Sequence, residues 1–165
     1  MSTDNKPNHA DFIKRLQKIT DDRGNRAALR KYWSPTTRHQ AYPILGLLGA
    51  LGDERKTITA ALFAEHPEHR ENISVGKAAL LLGDRKDGDH PYDRHFRRLL
   101  ACDDLTDLGQ QLHRLIKRIS REGIGLDYAD LHKRLNFWAN YRDEVKLYWA
   151  ADFWQASEAI NNLQS

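Results

Sequence analysis

Leu105-Thr106-Asp107-Leu108-Gly109-Gln110-Gln111-Leu112-His113-Arg114-Leu115-Ile116-Lys117-Arg118-Ile119-Ser120-Arg121 is the stretch on which the reading of the fold turns. Wound at about 100° per residue, it puts Leu105, Leu108, Leu112, Leu115, Ile116 and Ile119 in one stripe. Arg114, Lys117, Arg118 and Arg121 fall roughly opposite, with no acid between Arg114 and Arg121. This is an amphipathic helix, and Glu122-Gly123-Ile124-Gly125 closes it with the glycine that helix ends favour.

The same reading extends in both directions. Downstream, Asp127 is placed to cap a helix reaching about Asn140, and a last helix runs from about Asp143 into the 150s or beyond. Upstream, Pro91 stands where the first helical position is expected for a helix ending near Cys102. Nearer the N-terminus the spacing predicts helices over residues 10 to 20, about 23 to 33, about Glu54 to Glu65 and about Ser74 to Leu82. The apolar run Ala41 to Gly52 reads as a fully buried helix after Pro43, too short to span a bilayer. Gly83 to Asp89 is the most polar interior stretch and marks a candidate boundary between an N-terminal helical half, 1–88, and a C-terminal bundle, 89–165, sharing a core. With only two valines and no hairpin signal, the expected class is all-α: about eight or nine helices in a compact or slightly elongated bundle, without a sheet.

The charge balance, 26 Lys+Arg against 23 Asp+Glu, excludes a histone-like polycation, yet 16 of the cations are arginines, the residue suited to bidentate phosphate contacts. Folded onto helices they gather in three ridges. Arg23, Arg26, Arg30 and Lys31 form the first, Arg94, Arg97 and Arg98 the second, and Arg114, Lys117, Arg118 and Arg121 the third. No ridge shows the interleaved acids of an i,i+4 ion-pair lattice, so an anionic partner is expected, and a polyphosphate backbone is the commonest. Tyr148, Trp149, Phe153 and Trp154 crowd the last helix. They either fill both faces of the chain's own core or, on one face, dock another chain.

Catalytic and metal chemistry is weakly signalled. His66 and His69 lack two further zinc ligands at suitable spacing. Asp84, Asp87 and Asp89, and Asp103, Asp104 and Asp107, are explained by turns and caps before they are explained by Mg²⁺. Cys102 reads as a core residue with His95 or His113 as a weak nucleophile's partner, and as the single cysteine it excludes an internal disulfide. No phosphate loop or dinucleotide fingerprint is present, no cofactor or metal is expected, and the opening residues lack the features of a secretion signal, which points to the cytoplasm without membrane contact.

Five segments in order, Asp22 to Arg30 (DRGNRAALR), Ala41-Tyr42-Pro43, Tyr92 to Leu100 (YDRHFRRLL), Gly125 to Leu131 (GLDYADL) and Trp149 to Trp154 (WAADFW), resemble the CasB family, small subunits of the type I-E CRISPR surveillance complex Cascade. The resemblance spans about residues 10 to 155 and departs at His95 and Ala151, where arginine is common in the family. It implies an all-helical protein without catalytic activity, present as two copies beside the large subunit and the backbone subunits that hold the guide crRNA. It also implies a basic surface that steadies the target and displaced DNA strands, single- and double-stranded, of the R-loop. On that pattern the role falls to Arg23, Arg26 and Arg30, to Arg94, Arg97 and Arg98, and to Arg118 and Arg121. A docking scaffold whose ridges meet acidic protein neighbours is the second reading, and a metal-dependent nuclease the third.

Overall fold

The computed structural model describes residues 8–155. Among them lie eight α-helices: α1 (His9–Thr20), α2 (Arg23–Arg30), α3 (Tyr42–Leu47), α4 (Glu54–Glu65), α5 (Val75–Leu80), α6 (Asp93–Leu100), α7 (Leu105–Arg121) and α8 (Tyr128–Trp154). Short 3-10 turns over Lys31–Trp33 and Arg38–Ala41 join α2 to α3. The described residues contain no strand, only isolated bridges pairing His69 with Leu126 and Lys86 with Asp89. The fold is all-α as expected, and α7 begins and ends at the residues its periodicity named.

Helix starts are set by side chains. Asn8, Asp22, Asp53, Ser74, Asp104 and Asp127 each sit at an N-cap and accept the backbone N–H three residues on. Each such cap is worth about 1 kcal/mol. The centre is α4, whose residues Thr57 to Ala64 are buried on every side. It is surrounded by α1, α2, α7 and α8. One apolar cluster runs through the molecule, drawing Phe12, Ile13 and Leu16 from α1, Phe96 and Leu99 from α6, Leu112, Leu115 and Ile116 from α7, and Trp149 and Phe153 from α8.

Three expectations need correction. The run Ala41 to Gly52 is not a buried helix: only Tyr42–Leu47 is helical, and Leu47 and Leu51 are 65% and 56% exposed. Gly49 and Gly52 adopt φ of 66° and 80°, left-handed turns that end α3 and redirect the chain toward α4. Pro91 precedes the cap of α6 rather than opening the helix, which begins at Asp93 and ends at Leu100. The His90 ring holds that approach, bonding the Tyr92 N–H at 2.9 Å and the Leu80 carbonyl at 2.9 Å. Finally, the two helices expected on either side of residues 140–143 are one rod kinked at Tyr141 (φ −133°, ψ 37°). Asp103 straddles the kink: its carbonyl accepts Trp138 Nε1–H at 2.7 Å before the bend, and its carboxylate accepts Lys146 Nζ at 2.9 Å after it.

Candidate nucleic-acid interface

The cationic stripe of α7 borders two neighbouring depressions. The first, of about 300 Å³, lies between α7 and the approach to α6. Arg114, Lys117, Arg118 and Arg121 form one side, and Leu82, Pro91, Tyr92 and His95 the other. Gly83 permits the second wall, because a Cβ there would stand 2.9 Å from Pro91 Cγ. The second depression, of about 530 Å³, lies between α7 and the end of α2, where Arg30, Lys31, Trp33, Glu65 and His113 meet Lys117. Lys117 belongs to both, so Arg30 and Lys31 at the end of α2 and the cations of α7 form one continuous face.

The other predicted residues divide. Arg23 and Arg26 line a separate recess with Thr20, Phe63 and Pro67, and Arg26 Nε donates to the Ala64 carbonyl at 2.9 Å. Arg94, Arg97 and Arg98 are exposed on α6 but border neither depression beside α7. Arg97 turns to Asp93 at 2.6 Å and lies 5.3 Å over the Trp154 ring. The α7 stripe and the end of α2 therefore share a depression, while none of the arginines of α6 and neither arginine at the start of α2 lines the two depressions beside α7.

The expectation that the ridges lack carboxylates also needs correction. Arg30 meets Glu65 Oε2 at 3.1 Å, Arg97 meets Asp93, and Arg118 meets Glu122 Oε1 at 3.0 Å. In each the arginine is exposed or half-exposed, while Glu65 and Asp93 are the more covered partners and Glu122 stands half in solvent. Arg23, Arg26, Lys31, Arg94, Arg98, Arg114, Lys117 and Arg121 have no ion-pair partner among the described residues. The face keeps a cationic excess.

Glu65 and Tyr92 are the residues that sequence reasoning missed. Glu65 is the last residue of α4, where a negative charge opposes the helix dipole. It is held there by His113 Nε2 at 2.7 Å and by Arg30. The His113 hydrogen bond and the Arg30 charge keep its carboxyl below the usual range. His113 in turn stacks on Trp33, ring centres 4.3 Å apart and 9° from parallel. Tyr92 is 7% exposed, and burial pushes its phenol up to about 12 against the pull of Arg118 and Arg114. It stays a neutral hydroxyl donor beside two guanidinium groups. Both signals were weak in one dimension, because Glu65 lies far from its partners along the chain and Tyr92 resembles any capping aromatic.

The remaining candidates are structural. His66 Nε2 bonds the Ile124 carbonyl at 2.7 Å and His69 Nδ1 accepts the Tyr128 N–H at 3.2 Å, so both clip the loop that precedes α8. Asp104 caps α7. Cys102 is partly exposed, with its thiol pushed up by burial and then by Asp107. Trp149 and Phe153 are wholly buried and fill the chain's own core, which removes them from any docking face, while Tyr148 and Trp154 are partly exposed. No helix of the described residues is long and apolar enough to cross a membrane.

Solved structures share this architecture. CasB from Thermus thermophilus superposes with a TM-score of 0.69 at 23% identity, covering 89% of this chain and 96% of that one. CasB from Thermobifida fusca gives 0.69 at 17% identity over 88% and 96%. A CRISPR RNA-guided surveillance complex contains a chain with a TM-score of 0.72 at 21% identity, over 95% and 98%. No curated protein sequence matches. The family model described as CRISPR-associated protein Cse2 matches residues 25–154, from the first turn of α2 to the last residue of α8. A match across that span, on the helices that build the basic face and the core beneath it, makes this chain a member of the CRISPR-associated Cse2 family.

Proposed function

We propose that this chain is a non-catalytic nucleic-acid-binding subunit of a cytoplasmic CRISPR RNA-guided surveillance complex, where it holds the target and displaced DNA strands of the R-loop without reading their sequence. The observation that carries the reading is the shared position of Lys117, which joins the cations at the end of α2 to those of α7 in one surface with a net positive charge. Membership of the Cse2 family, and likeness to a chain of a surveillance complex, support the setting. Its partners there are the crRNA-bearing backbone subunits, the large subunit and a second copy of itself.

R-loop formation is a nearly balanced strand exchange, so a few backbone contacts that favour the opened state suffice to tip it. Four to eight phosphate contacts correspond to a slope of log K against log salt of roughly −3 to −7.

The test is charge reversal of Lys117 and Arg121 together, followed by fluorescence anisotropy with single-stranded DNA and by co-purification with guide RNA and the partner subunits. Strand binding falls by more than tenfold while assembly persists. Intact strand binding with lost assembly would instead establish the docking scaffold.

A further inference from the structure

The two depressions that share Lys117 are chemically unlike. The α2 side contains Glu65, whose carboxylate already occupies Arg30 and His113. The α6 side has no carboxylate among its lining residues, and of its four cations only Arg118 is paired, with the exposed Glu122 behind it. Four cations of α7, spaced i, i+3, i+4 and i+7, face it on one side. The lining is completed by Leu82 and Tyr92, 8% and 7% exposed, and by Pro91. The Tyr92 hydroxyl makes no hydrogen bond with the described residues, and its ring lies 5.1 Å from His95. The Tyr92 ring is buried but its hydroxyl oxygen opens to solvent in the recess, which leaves it free to donate to an anion seated beside the two guanidinium groups. The volume, about 300 Å³, is at the small end for a bound small molecule and far larger than an ion requires.

A recess with a cationic side, a neutral hydroxyl donor and an apolar wall suits a ligand with an anionic end and a planar, largely apolar end. We infer that the recess between α6 and α7 seats a single nucleotide unit, its phosphate toward Arg114, Arg118 and the Tyr92 hydroxyl and its base toward Leu82 and Pro91. The inference rests on the reading of the basic face as a nucleic-acid surface and adds to it a discrete seat. The unit has two sources, a nucleotide within a bound strand or a free nucleotide.

The experiment titrates the full chain with AMP, with inorganic phosphate and with a long single-stranded DNA, for the unaltered protein, Tyr92→Phe and Arg114→Gln. Thermal melts of each variant establish that it is folded. AMP binds more tightly than phosphate, and Tyr92→Phe, which leaves every charge in place, weakens AMP by about tenfold or more, the worth of a hydrogen bond to a charged group. Arg114→Gln weakens it likewise and serves if the first variant does not fold. Competition between AMP and the long strand assigns the seat to a strand nucleotide, and independent binding of the two assigns it to a free nucleotide. Strand binding that is strong, with AMP not bound or bound equally by Tyr92→Phe, overturns the seat and leaves the basic face standing. Absence of binding to strand and AMP alike overturns both.

Discussion

Gly76 of α5 lies directly against the carbonyl oxygen of Trp149 in α8, so close that a Cβ at position 76 would overlap that oxygen and stand 2.9 Å from Asp152 Cβ. The same helix pair is tied by Ser74 Oγ, which donates to Asp152 Oδ2 at 2.5 Å. Gly76→Ala therefore forces two backbones apart rather than moving a flexible side chain. The expected cost is about 1–3 kcal/mol, read as a lower urea midpoint with an unchanged slope. A wild-type midpoint would show that α5 and α8 are not packed as described.

A second prediction concerns acid. The His9 and His132 rings meet at 2.7 Å, Nδ1 to Nδ1, with Phe12 stacked on His132. Burial, then the neighbouring His9, lowers His132 to about 4, and Lys56 and Arg55 act in the same direction against Asp53. His9 is lowered too, by burial and then Lys133. The unfolded chain binds these protons first, so stability is full above about pH 6.5 and is lost as pH falls toward 4. For His132 alone the loss approaches about 3 kcal/mol. His132→Phe flattens this part of the stability profile measured by denaturant titration at successive pH values. Glu65, held low by His113 and Arg30, loses its contribution only at more acid pH.

Glu65 restrains the basic face. Glu65→Gln removes the charge that occupies Arg30 and His113 while keeping the side chain's shape. Affinity for single-stranded DNA rises, and the salt slope becomes more negative by about 0.7–0.9 if Arg30 gains one phosphate. An unchanged slope would place Arg30 outside the strand's path.

Asp127 has two tasks. Oδ1 accepts the Asp130 N–H at 2.9 Å as the cap of α8, and Oδ2 accepts the Asn72 N–H at 3.0 Å, where Asn72 holds φ 69°. Asp127→Ala lowers stability by about 1–2 kcal/mol in a thermal or urea melt. Asp127→Asn recovers most of it.

Local periodicity made much of this molecule legible. The α7 stripe is written within seventeen consecutive residues, and the caps Asp22, Asp53, Asp104 and Asp127 stand at the expected starts. Composition misled over Ala41 to Gly52, because an apolar run says nothing about two left-handed glycines that turn it outward. Charge pairing was legible only in part. Asp93 precedes Arg97 by four residues and Glu122 follows Arg118 by four, both within reach of a helical wheel. Glu65, by contrast, meets Arg30 only because α4 packs against α2, a tertiary fact no local pattern carries. For the same reason, that Lys117 of α7 meets Arg30 at the end of α2 while the arginines of α6 line neither depression required the fold.

Lys117 has one ammonium group and two basins to serve. Separate small anions filling both would compete for it and repel each other, so the second would bind more weakly than the first. Neighbouring phosphates of one covalent chain have already met the cost of being held side by side, and for them the lysine is a bridge instead of a contested ligand. If the proposed function holds, the shared lysine alone would bias such a surface toward polymers over separate small phosphates.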